Sequence, residues 1–146
     1  MKIKTKQLYW VTLFFITLSG FAQMPIFKRY YIADIPGLGW LNQFYVTHLI
    51  HYLAALVLIV MVFYLATGFI LEKRSLSGIT RSGAVKMGLL AVLMVSGGVL
   101  AYKNLAGVYM DHLLISLLDL VHLGSCMVLL GTGLYAVIRK REWVKK

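Results

Sequence analysis

VTHLIHYLAALVLIVMVFYLATGFIL, Val46–Leu71, contains no acidic residue, no lysine and no arginine, and its only ionisable imidazoles are His48 and His51. A helix crosses the hydrocarbon of a bilayer with roughly 17 to 25 apolar residues, depending on tilt. The stretch therefore reads as a transmembrane helix that carries two histidines at depth. Three more apolar runs are long enough to be read as membrane helices: Leu8–Phe27, Ala84–Tyr102 with Lys86 as its one charge, and Leu113–Ile138 with Asp119 as its one charge. With 60% hydrophobic residues and a mean hydropathy of +0.81, the chain is too apolar for a soluble domain of its length. The fold expected is all-α, an integral membrane four-helix bundle spanning residues 1–146 as one transmembrane domain.

The net charge of +10 would suggest nucleic acid in a soluble protein, but the basic residues sit around the spans. Lys2, Lys4, Lys6, Lys73, Arg74, Arg81, Lys86, Arg139, Lys140, Arg141, Lys145 and Lys146 fall on one side; Lys28, Arg29 and Lys103 fall on the other. By the positive-inside rule, both termini and the 72–82 connection are cytoplasmic, and the 28–45 and 103–112 connections face outward. The chain is expected to be a multi-pass protein of a bacterial inner membrane, in contact with lipid and not with nucleic acid. The first run also has the make-up of a signal peptide: a lysine-rich start, an apolar core from Leu8 to Leu18, and the small residues Ser19, Gly20 and Ala22. A retained anchor is the reading adopted, and it leaves the second helix placed as before.

The first outward connection holds both prolines, Pro25 and Pro36, in or near it, with Tyr30, Tyr31 and Trp40. It reads as an interfacial segment with a Pro-Gly turn, or as a docking surface for an outside partner. Cys126 lies inside the fourth run, which excludes an internal disulfide and a paired-cysteine haem attachment; it reads as a small packing residue. Gly88, Gly97, Gly98, Gly124, Gly131 and Gly133 recur in the spans, where small residues let helices approach closely or leave room for a flat macrocycle. No internal repeat stands out in the sequence.

Ionisable side chains inside a membrane are costly and mark functional sites. His48, His51 and His122 are such residues, and His112 stands at the mouth of the fourth helix. A low-spin haem takes two axial ligands from opposite faces, and neutral imidazole suits iron. Counting from Phe44 and Leu113, His51 is seven residues in and His122 nine, a depth match within about one turn at 1.5 Å per residue. One b-type haem held by His51 and His122 is the expectation; a second held by His48 and His112 is the crowded alternative. Asp119, three residues before His122, has three readings: an acceptor that orients the imidazole, a proton acceptor for a quinol, or a partner of Lys103 or His112.

The run from His51-Tyr52-Leu53-Ala54-Ala55-Leu56 to Ala66-Thr67-Gly68 resembles a recurrent first-ligand helix of membrane cytochromes b. Asp119-Leu120-Val121-His122 resembles the last-helix ligand of the four-helix cytochrome b, or gamma, subunits of respiratory formate dehydrogenases and nickel-iron hydrogenases. The resemblance covers the second to fourth helices. It implies a subunit that passes electrons between an extracytoplasmic iron-sulfur or multihaem cytochrome c partner and quinone, with His51 and His122 matching the outer haem's ligands. Members of that family carry a haem near each membrane face. Here the first run has no histidine and the fourth has none after His122, so the inner haem is not expected. No nucleophile or acid-base pair marks the chain as a complete enzyme. Two other classes compete: a haem-free anchor with a quinone site near Asp119, and a metal transporter using the four histidines. The transporter reading lacks polar stations deeper in the membrane.

Overall fold

The computed structural model describes residues 3–24, 31–72 and 79–139. Within them the protein is all-α, with four α-helices: α1 (Ile3–Ala22), α2 (Phe44–Leu71), α3 (Arg81–Tyr102) and α4 (His112–Ile138). The last three are long and apolar enough to cross a membrane. The chain divides into two compact units, 1–72 and 73–146. The first pairs α1 with α2; the second pairs α3 with α4.

The bounds of α2, α3 and α4 lie within three residues of those expected from the apolar runs. The first helix is the exception, lying five residues toward the N-terminus of the expected 8–27. Lysine is a good helix former, so Lys4 and Lys6 do not delay the start. At the other end Gln23 N donates to Gly20 O and Met24 N to Phe21 O, a tightened last turn, and Pro25 in the sequence biases Met24 away from helix. Of the remainder of the expected run, residues 25–27 lie outside the described residues, as do most of the basic flanks.

The last two helices start at side-chain caps, whereas Gln43 before α2 makes none. The Thr80 hydroxyl accepts from Gly83 N at 3.0 Å, and the Asp111 carboxylate accepts from Leu113 N at 2.9 Å and Leu114 N at 3.2 Å. These side chains satisfy amide donors that a helix start leaves without intrahelical partners. Between α1 and α2, two short 3₁₀ helices, Ile32–Asp34 and Gly39–Asn42, flank a turn in which Leu38 N donates to Ile35 O. Pro36 and Gly37 occupy its centre, and Gly37 has φ 88°, a conformation that suits a residue without Cβ. Leu41, on the second 3₁₀ helix, is 2% exposed and closes the mouth of the α1/α2 pair.

These helices are apolar on every side, so polarity does not distinguish the packed face. Small and hydroxyl residues do. Thr12, Ser19 and Ala22 are buried on α1, Thr47, Ala54 and Met61 on α2, and Gly83, Lys86, Leu90 and Ser96 on α3. In lipid there is little hydrophobic gain from bringing helices together, so close packing and interhelical hydrogen bonds hold such pairs, the latter averaging about 0.6 kcal/mol each. The large residues Phe63, Tyr64, Val95, Leu120 and Leu134 are exposed, as a lipid-facing surface requires. Lys86, counted with the cytoplasmic charges though it falls inside the expected 84–102 run, lies in the second turn of α3 and is 3% exposed.

Candidate functional site

In the α1/α2 unit, the Ser19 hydroxyl donates to Phe15 O, one turn back on its own helix, at 2.5 Å. Its single proton is thereby committed, so toward His51 Nδ1, 3.3 Å away, Ser19 Oγ acts as acceptor. His51 Nδ1 also lies 3.0 Å from the carbonyl oxygen of Ile16, which can only accept. Both contacts require the proton on Nδ1. In the neutral ring the lone pair then resides on Nε2, the kind of nitrogen that binds a metal.

The α3/α4 unit repeats this arrangement. Ser96 Oγ donates to Val92 O at 2.7 Å and accepts from His122 Nδ1 at 2.9 Å. The His122 imidazole also hydrogen-bonds to the backbone of Leu93. Position for position, Phe15, Ile16, Ser19 and Gly20 against His51 correspond to Val92, Leu93, Ser96 and Gly97 against His122. The glycines complete the match. A Cβ on Gly20 would stand 3.1 Å from His51 Cε1, and one on Gly97 would stand 3.0 Å from His122 Cε1. Both are closer than ordinary carbon contacts, so each imidazole brings its Cε1–Nδ1 edge close to a glycine, where an added Cβ would make the ring give by a few tenths of an ångström. The other glycines singled out from sequence, Gly88, Gly98, Gly124, Gly131 and Gly133, meet nothing within 4 Å.

The protein thus contains the same helix-pair device twice, a feature not visible in the sequence. The serine and histidine are 32 residues apart in the first copy and 26 in the second. The 3₁₀ segment in the first connection lengthens that copy and destroys a fixed period. The sequence signal is weak: Ser19-Gly20 and Ser96-Gly97 each lie in the helix before a histidine helix, but Ser-Gly also occurs at 77–78 and 82–83. Cys126 is half-buried, four residues after His122, where Ala55 stands four after His51; it occupies a packing position.

His48 has a different setting. Its Nδ1 lies 3.1 Å from Gln23 Oε1. Gln23 Nε2 donates to Ser19 O at 3.3 Å, which fixes the amide so that its oxygen faces the histidine and accepts. The ring stacks on Phe44 at 5.0 Å and tilts against Tyr52 at 4.3 Å. The position corresponding to His48 in the second copy is Asp119. That residue is exposed within its unit, and the group placed against His122 Nδ1 is Ser96 rather than Asp119. His112 is the first residue of α4 and is exposed; its carbonyl accepts from the Ser116 hydroxyl.

Among the described residues no three His, Cys, Asp or Glu side chains converge as a group that could hold a bare metal ion. Haem iron brings four nitrogen donors of its own and asks the protein for only one or two more. The donor set present, neutral imidazoles with Nδ1 tied to the protein and the lone pair on Nε2, fits that request. Comparisons with protein-family models, curated proteins and solved structures find no match to this chain.

Proposed function

We propose that this chain is a haem b-binding, multi-pass subunit of a respiratory complex in a bacterial inner membrane, with both termini cytoplasmic. It exchanges electrons between an extracytoplasmic iron-sulfur or multihaem cytochrome c partner and the quinone pool. His51 and His122 are the imidazoles assigned to haem iron, each from its setting within its own unit. The observation that carries this reading is the duplicated setting of those two residues, each with Nδ1 held and the ring laid against a glycine. Any imidazole inside an apolar run needs an acceptor for its N–H; what favours ligation is that the same Nδ1 setting occurs in both helix pairs, as second-shell control of ligand imidazoles does.

Bound haem supplies reversible one-electron chemistry. The chain's own residues orient the two imidazoles through their Nδ1 contacts. His48, held by Gln23 and packed between aromatic rings, and His112, exposed at the start of α4, lack the shared setting and are not assigned as the axial pair. Asp119 is the group assigned to quinone: an exposed carboxylate on a membrane helix is costly unless a polar group meets it.

Spectra of detergent-purified variants test this. His51→Ala and His122→Ala are each expected to lose the reducible Soret and α bands of the wild type, while His48→Ala and His112→Ala keep them. Full haem in either of the first two variants contradicts the assignment. A wild type that folds without haem favours the haem-free anchor.

A further inference from the structure

Nothing in a haem-ligand role by itself requires serine opposite histidine, yet both copies place one there with its proton already used. A serine hydroxyl usually rotates to suit its neighbour and can donate or accept. Here the donation to the carbonyl four residues back, Phe15 for Ser19 and Val92 for Ser96, removes that freedom. Each hydroxyl has a second helix carbonyl close by, Ile16 O at 3.3 Å from Ser19 Oγ and Leu93 O at 3.4 Å from Ser96 Oγ. What remains toward the imidazole is lone-pair density, so the serine recognises an N–H and repels a bare ring nitrogen. Both serines are buried, at 0% and 3% exposure, so the apolar interior strengthens that preference.

We propose that Ser19 and Ser96 are positioning residues for metal-binding imidazoles: each holds the Nδ1–H of its histidine and thereby makes Nε2 the ligand nitrogen. This rests on the haem reading and adds to it a control on ligand basicity. An acceptor on Nδ1–H pushes electron density into the ring, which favours ferric over ferrous iron and lowers the midpoint potential. The two copies differ in degree. His122 meets Ser96 at 2.9 Å, whereas His51 lies closer to Ile16 O, at 3.0 Å, than to Ser19, at 3.3 Å. Ser96 Oγ lies nearer its imidazole than Ser19 Oγ does, so its loss is expected to have the larger effect.

The test uses the full-length, haem-loaded protein in detergent, with Ser96→Ala, Ser96→Thr and Ser19→Ala. Haem content, the midpoint potential and the ferric electron paramagnetic resonance spectrum are read together. Ser96→Ala is expected to lose roughly 10-fold or more in haem affinity, to raise the midpoint potential and to shift the ferric signals. Ser96→Thr, which keeps a hydroxyl, returns all three toward wild type. Ser19→Ala moves them in the same direction by less. Should Ser96→Ala fail to fold, Ser19→Ala decides by the same three readouts. A haem-loaded wild type whose potential and ferric signals survive loss of the hydroxyl overturns this inference while leaving the haem reading intact; a wild type without haem overturns both.

Discussion

Replacing Gly97 by alanine puts a methyl carbon 3.0 Å from His122 Cε1, 3.5 Å from Nδ1 and 3.9 Å from Nε2. Relief requires the ring to retreat by a few tenths of an ångström, and the ring is tethered through Nδ1 to Ser96 at 2.9 Å. Gly98, the next residue on the same helix, is exposed, and a Cβ added there would meet nothing within 4 Å. Gly98→Ala therefore collects whatever helix propensity alanine offers, up to about 1 kcal/mol in water. Subtracting one variant from the other cancels that shared backbone gain and leaves the packing cost. Overpacking a tight contact costs about 1 to 3 kcal/mol, and weakening a hydrogen bond adds about 0.5 to 1.5 kcal/mol at most. Gly97→Ala should thus be less stable than Gly98→Ala by about 1 to 4.5 kcal/mol. Reversible unfolding in mixed micelles of mild detergent and dodecyl sulfate, followed by circular dichroism, measures the difference. Equal stability of the two variants would refute the close seating of His122 on α3.

Gly20→Ala is expected to reproduce the effect in the first unit, where the same contact is 3.1 Å to His51 Cε1 and 3.3 Å to Nδ1; Gly68→Ala, with nothing within 4 Å, is its control in the same unfolding assay. Asp111→Ala removes the acceptor for Leu113 N and Leu114 N and should cost about 0.5 to 2 kcal/mol, read as a lower unfolding midpoint, with Asp111→Ser recovering most of it. In a Cys126→Ala background, Asn104→Cys is expected to react with a membrane-impermeant maleimide added outside intact cells, whereas reaction only after lysis reverses the proposed topology.

The apolar runs made the existence and type of all four helices legible, and the Pro36-Gly37 turn announced itself by residue type. The start of α1 did not, because Lys4 and Lys6 read as flanking charge although lysine is at home in a helix. The burial of Lys86 was hidden as well: its charge suggests exposure, but a long aliphatic stem allows a lysine to be buried on a helix. The packed faces were also hidden, since helices that are apolar all round give no periodic signal. The histidines could be chosen from sequence because an imidazole in an apolar run is conspicuous. Their serine and glycine partners could not, because Ser19, Gly20, Ser96 and Gly97 are ordinary small residues until the fold sets them opposite His51 and His122. Asp119 drew attention as the nearest charge in sequence, yet the group at His122 Nδ1 comes from the neighbouring helix.

The most direct test of the central claim is a dithionite-reduced minus oxidised spectrum of the purified protein, with a pyridine haemochrome count per chain. The expected result is a b-type spectrum and one haem per chain. A folded, helical protein with no bound haem contradicts the claim that His51 and His122 are ligands.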